Sequence, residues 1–333
     1  MKRRQVITGL MGFASALAVS PWRELDSRRA RTSTALTLNL PLTELAQILP
    51  EPESDREQPI LPVMLSNMDA RDSHTMPAVS SPVAAEAKTA TLDTQQQRAI
   101  QKSIDFARDY DDDIFVSEAE QPTLQSLFLR LRNLQNTIGY GNFNIVGLDD
   151  ALIYARRFDA VGAFTREELN LIEKLYESDA KDYGFFGHKV STSLTQSFAD
   201  NRVVKVPHSG HYLFNDESLE YYKKLRQEVG ESIILTSGIR SNVKQLYLFI
   251  AKTVRVKGNL SRASRSLAPP GYSYHGVGDF DVGRIGWGAK NFTNDFSETQ
   301  EFKRMRDLGY VAIRYDQGNE LGVRFEPWHI KVV

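Results

Sequence analysis

The chain has 333 residues, 41 basic and 42 acidic, for a formal net charge of −1. That balance gives no global positive field for nucleic acid, and the length suits one large or two ordinary domains. There is no cysteine, which excludes disulfides and thiolate metal sites, so any zinc site must draw on carboxylates and the six histidines His74, His188, His208, His211, His275 and His329.

The N-terminus opens with Lys2-Arg3-Arg4, followed by an apolar stretch from Val6 to Leu17 and an A-x-A site at Ala16-Leu17-Ala18. This is the pattern of a cleaved export signal over residues 1–18, too short to span a bilayer as a stable helix. The paired arginines before Gln5-Val6-Ile7 resemble a twin-arginine signal, with the Sec route as the alternative. Cleavage would leave 38 basic and 42 acidic groups and no integral membrane span in the mature form. Residues 19–92 read as a disordered linker rich in Pro, Ser, Glu and Ala, with one short amphipathic helix at "LTELAQIL". His74 lies in this linker and is discounted as a ligand.

A helical region of unknown role is predicted over 93–185. "DTQQQRAIQKSIDFARDY" has an acidic start and apolar Ile100, Ile104 and Phe106 at helical spacing. "QPTLQSLFLRLRNLQNTIG" repeats the pattern with Leu124, Leu127, Leu129 and Leu131 and stops at Gly139. "GLDDALIYARRF" and "TREELNLIEKLYESDAKDYG" are two more helices, the latter capped by Thr165 with Glu167 and Glu168 in its first turn. Asp111, Asp112 and Asp113 lack the ligand spacing of an EF-hand and read as a solvated acidic turn.

Residues 186–333 have a different texture. "ESLEYYKKLRQEVG", "NVKQLYLFIAKTVRVKG" and "SETQEFKRMRDLG" read as helices, the last capped by Ser297. "SIILTS", "GVGDFDVG", "YVAIRY" and "GVRFEPWHIKV" read as strands. The mixture predicts an α+β fold, a small antiparallel sheet with flanking helices preceded by the helical region.

Several residues can carry chemistry. Asp279 and Asp281 share one face of a strand just after His275. Glu326 precedes His329 by three, and Pro327 between them favours a bend that turns both to one site. Such His and carboxylate donors suit a catalytic zinc, with a nearby glutamate to take a proton. His208 and His211 have no adjacent carboxylate and read as cleft lining or structural hydrogen bonding. Trp287 is a candidate for cleft lining.

Ser273-Tyr274-His275-Gly276-Val277-Gly278, then Asp281, then Glu326-Pro327-Trp328-His329 resemble the VanY-type D-alanyl-D-alanine carboxypeptidases, in the wider zinc peptidase group with lysostaphin-like enzymes and the hedgehog domain. "SGIRSNVKQ" (Ser237 to Gln245) resembles a further family element. The resemblance covers about residues 205–333. One spacing departs: the family's Asp usually lies seven positions after the His, whereas Asp281 lies six and Asp279 four after His275. Asp281 is preferred because an apolar residue and a Gly follow it; Asp279 is the runner-up, or a group that orients a ligand histidine.

The resemblance implies that His275, Asp281 and His329 bind Zn²⁺ and that Glu326 is the general base. It implies that Arg240 contacts the substrate carbonyl or carboxylate, with Ser273 and Gln245 adding hydrogen bonds. The expected protein is an exported, periplasmic or cell-envelope zinc peptidase removing the terminal D-Ala from peptidoglycan stem peptides. An endopeptidase of the same fold, or a non-catalytic zinc-binding wall protein, are the alternatives.

Overall fold

The computed structural model describes residues 92–310 and 312–332. The export signal, the "LTELAQIL" helix, His74 and all but the last residue of the linker lie outside the described residues.

The first described helix, α1 (Thr94–Ile104), starts where Asp93 accepts a hydrogen bond from the backbone N–H of Gln96 at 2.7 Å. Its inner face carries Ala99 and Ser103, not the expected Ile104, which is 73% exposed as the last residue of the helix. The long helix α2 (Gln121–Ile138) has Pro at its start and buries Leu124, Leu127, Phe128, Leu131, Leu134 and Ile138, a stripe at spacings of three and four. Expected Leu129 is only half-buried at the margin of that stripe. Gly139, at φ 87°, ends α2 in a backbone region that side-chained residues avoid, and α3 (Tyr140–Phe143) follows. Next come α4 (Leu148–Arg157) and α5 (Arg166–Glu177). Thr165 and Glu168 close a reciprocal capping box on α5.

From residue 203 strands enter. β1 (Val203–Lys205) pairs antiparallel with β2 (Tyr212–Phe214). Helix α6 (Glu217–Val229) leads to β3 (Ile233–Ser237), and α7 (Asn242–Arg255) and α8 (Leu260–Ser264) follow. Then come β4 (Phe280–Arg284), α9 (Gln300–Asp307) and β5 (His329–Ile330). The second sheet is antiparallel in the order β3-β4-β5, so β4 is central. The fold is therefore α+β: helices flanking small antiparallel sheets. Among the described residues no helix is long and apolar enough to cross a membrane.

Two main cores organise the packing. One joins α2, α4 and α5 to α7 and α8 through residues such as Phe128, Ile172, Phe249 and Ile250. The other packs β3, β4 and β5 against α6 and α9 through Leu225, Val282, Met305 and Trp328. Helix α7 thus links the early helices to the segment that carries the sheet.

Four local expectations change. "GVRFEPWHIKV" is mostly irregular, with a turn at Pro327-Trp328 and only His329 and Ile330 in a strand, because Pro327 has no N–H for a ladder and the N–H of His329 folds back to the carbonyl of Glu326 at 3.0 Å. "YVAIRY" contributes a single bridge, Ile313 to Ile330. The cap of α9 is Thr299, whose side chain accepts from the N–H of Phe302; Ser297 sits inside a preceding 3₁₀ turn, Asn294–Glu298. Asp113 is not solvated: it is buried and bound by Arg265, Lys102, Asn259 and the N–H of Tyr110.

Candidate metal centre and its cleft

The register of the central sheet assembles the centre. Asp281 on β4 lies opposite Ser237 on β3 and His329 on β5. His275 reaches the same place from a 3₁₀ turn, Tyr274–Gly276, just before β4. His275, Asp281 and His329 are all buried, and one donor atom from each lies within 4.8 Å of the others.

Neighbours fix which atoms face inward. His275 Nδ1 is 2.8 Å from the carbonyl oxygen of Gly238, so this nitrogen carries the proton and Nε2 keeps its lone pair. Gly238 must be a glycine, because a Cβ there would collide with the carbonyl oxygen of Tyr212. His329 Nε2 donates to Asp279 Oδ2 at 3.0 Å, which leaves Nδ1 facing Asp281 Oδ1 at 3.2 Å. Asp279 is itself clasped by Arg314 and accepts from the N–H of Val332. Asp281 gives its other oxygen, Oδ2, to Arg240 Nη2 at 2.6 Å. His275 Nε2 and Asp281 Oδ1 are left buried with no hydrogen-bond partner, 3.4 Å apart.

This arrangement fits a tetrahedral zinc. Ligand atoms at about 2.0–2.2 Å from a tetrahedral ion lie about 3.4 Å from one another; the two separations to Asp281 Oδ1 are 3.4 and 3.2 Å, and the two histidine nitrogens lie within 4.8 Å of each other. Three electron-pair donors converging without a proton between two of them would repel unless a cation joins them. Asp279, bonded to His329 Nε2, is placed to orient that ring.

The electrostatics follow from burial and pairing. Burial, with Arg240 adding, pushes His275 down to about 4. Burial would lower His329 as well, but its bond to Asp279 and the nearby Asp281 carboxylate prevail and hold it up at about 9. Carboxylates that hold a proton there equally favour a metal cation. Burial opposes ionisation of Asp281, yet His275 and Arg240 keep it well below the usual carboxylate range. Burial lifts Glu326 to about 7, although Arg324 and His329 pull the other way.

Glu326 stands at the rim of this centre, its Oε2 3.9 Å from His329 Nδ1 and its Oε1 3.6 Å from Arg324 Nε. The turn at Pro327 turns both side chains to one site. Arg240 is held by Ser237 Oγ at 3.0 Å as well as by Asp281, and it lines two adjoining cavities. Ser273 lines both as well, whereas Gln245 lines the smaller one, with Nε2 donating to the carbonyl of Ala268 at 2.6 Å and Oε1 buried without a partner. Of the other candidates, His211 lines the larger cavity and bonds Asn144, while His208 is exposed on a turn at φ 62°. Trp287 packs under Arg284 and does not line the cavity; Trp328 and Phe292 do. Arg314 and the Gly238 carbonyl have no counterpart in the motif reading, because each acts through a contact far away in the chain.

Residues 215–333 match the family model VanY, D-alanyl-D-alanine carboxypeptidase. That is the family resembled by the motifs at 273–278, 281 and 326–329. Similar solved structures include the LdcB LD-carboxypeptidase, at 22% identity over 40% of this chain and 69% of that one, with a TM-score of 0.35. A variant of the vancomycin-resistance D,D-pentapeptidase VanY in complex with Zn(II) is 21% identical over 40% of this chain and 78% of that one, with a TM-score of 0.32. VanYB in complex with D-alanine-D-alanine is 21% identical over 40% and 77%, with a TM-score of 0.33. No curated protein matches the sequence. The whole centre, from Gly238 to Val332, falls inside the VanY-type region, and α1 to α5 fall outside it.

Proposed function

We propose that the chain is a zinc-dependent D-alanyl-D-alanine carboxypeptidase, exported to the cell envelope, that trims peptidoglycan stem peptides. The observation that carries the metal is the pair of buried unpartnered atoms, His275 Nε2 and Asp281 Oδ1, converging with His329 Nδ1. The family match supports the substrate, and the N-terminal signal pattern, Lys2 to Ala18, supports export to where such peptides lie.

Zinc bound by His275, Asp281 and His329 would supply Lewis acidity toward a carbonyl and a lowered pKa for a coordinated water. The protein's own groups do the rest. Gly238 and Asp279 fix the two imidazoles in the tautomers that present lone pairs. Glu326 Oε2 takes the proton from the attacking water and returns it to the departing amine. A carboxyl lifted to about 7 is suited to both transfers near neutral pH. Arg240, with Ser273 and Gln245 beside it, receives the peptide's terminal carboxylate, for which a planar guanidinium is the better partner. Its bond to Asp281 Oδ2 pre-orients the guanidinium beside the carboxylate that would hold the metal.

The test is mass spectrometry of a muropeptide pentapeptide incubated with the zinc-loaded chain, with E326A as control. Loss of one terminal alanine by the wild type alone supports the reading. A cut within the peptide would make the chain an endopeptidase, and no cut of this peptide or of intact sacculi would remove the peptidase reading.

A further inference from the structure

The cavity that contains the metal cluster does not end at it. Its volume is about 570 Å³, lined partly by His275, Asp281, Glu326 and His329 and partly by two helices of the other core. A pocket of about 300–1,000 Å³ accommodates a ligand well beyond a single residue.

Helix α2 contributes Arg132 and Asn136, four residues apart and so on one face, and Tyr140 follows just past Gly139. Helix α7 contributes Lys244, Tyr247 and Ala251, at the spacing of one helical stripe. The α2 half of this wall lies outside residues 215–333, so it is an addition of this chain to the matched family region.

The wall is cationic. Among the described residues no carboxylate pairs with Lys244 or Arg132. Lys244 Nζ donates to the amide oxygen of Gln135 at 3.1 Å and stands 5.6 and 5.7 Å from the ring centres of Phe143 and Tyr247. Arg132 stands 5.7 Å from the ring centre of Phe128. Burial, with Arg240 adding, brings Lys244 down to about 8. Burial and these same two cations push His211, in the same cavity, down to about 4. A half-buried ammonium without a counter-charge is a place where a ligand anion binds well. Tyr140, 67% exposed, adds an aromatic rim.

This step rests on the peptidase reading above. A carboxypeptidase releases one residue, whose carboxylate that reading gives to Arg240. The remainder of the cavity then serves the acyl side of the substrate. We infer that the α2–α7 wall is a specificity subsite that binds a free carboxylate on the acyl side of the peptide, such as the α-carboxylate of a γ-linked glutamyl residue.

The experiment compares two pentapeptides ending in D-Ala-D-Ala, one with that α-carboxylate free and one with it amidated. Binding is measured by calorimetry on the zinc-loaded full chain carrying E326A, so that no turnover intervenes. The free-carboxylate peptide should bind about tenfold more tightly, as a charge-assisted contact implies. R132Q/K244M in this background should bring the ratio to about one, and R132K/K244R should keep it. Equal binding of the two peptides, or an unchanged ratio in R132Q/K244M, overturns the subsite. Turnover of the same peptides by the chain with Glu326 intact separates the two claims. A chain that prefers the charged peptide yet cleaves neither keeps the subsite and loses the peptidase reading, whereas equal binding with cleavage of both does the reverse.

Discussion

Two groups of buried charges in this molecule look alike and differ in one respect. Around Asp113, every carboxylate lone-pair direction has a donor: Arg265 and Lys102 on Oδ1, Asn259 and the N–H of Tyr110 on Oδ2. Around Asp281, Oδ2 is met by Arg240 but Oδ1 faces two imidazole nitrogens and has no hydrogen bond. The first group is a closed knot that ties the loop after α1 to α8. The second is an open one, with donor atoms placed as a cation would require. Burial and charge alone do not mark a metal site; converging acceptors with nothing between them do.

That contrast can be broken most strongly at Glu326. E326Q should lower kcat on a D-Ala-D-Ala peptide by about 10²–10⁴-fold while metal analysis still finds zinc bound. Wild-type turnover in that variant would remove Glu326 from the proton path.

The closed knot should show its worth in stability instead. R265M leaves Asp113 buried without its guanidinium, and urea unfolding should show a loss of about 3–5 kcal/mol. The loss should be the same in the presence and absence of zinc, because the knot has no part in binding metal.

A smaller effect is expected one step out from the open group. D279N removes the carboxylate that receives the His329 Nε2 proton, and zinc affinity by competition titration should fall about 10–100-fold. An unchanged affinity would mean that Asp279 orients nothing, and a complete loss would make it a ligand in its own right.

His211 tests the field of the cavity between these groups and the helical wall. Its folded-state pKa is lowered from 6.5 to about 4. The unfolded chain therefore takes up this proton as pH falls through about 6.5, and the folded chain only near 4, so folding stability drops across that window. NMR titration should find the ring neutral at pH 5.5, and H211N should flatten that part of the stability profile.

Much of this was legible in the sequence because the information is local. His275 after Ser273, Asp281 within an alternating run, and Glu326 and His329 around Pro327 are short patterns whose residue types already suit zinc chemistry. The bend at Pro327 followed from its missing N–H, although it takes the form of a turn and shortens the expected last strand to two residues. The same locality explains what was hidden. Asp113 reads as a solvated turn because its partner Arg265 is 152 positions away. Arg314 and the Gly238 carbonyl act only through the folded register, and nothing in "QPTLQSLFLRLRNLQNTIG" shows that Arg132 and Asn136 face the metal's cavity. Thr299 displaced Ser297 as a cap because the chain spends one more turn as 3₁₀ helix before α9 begins.

The most direct test of the open group is the zinc stoichiometry of the purified full chain, set against H275A and H329A. We predict one tightly bound zinc per wild-type chain, and none retained after dialysis in either variant. A wild-type chain that binds no zinc, or variants that keep it, would contradict the assignment of His275, Asp281 and His329 as a metal centre.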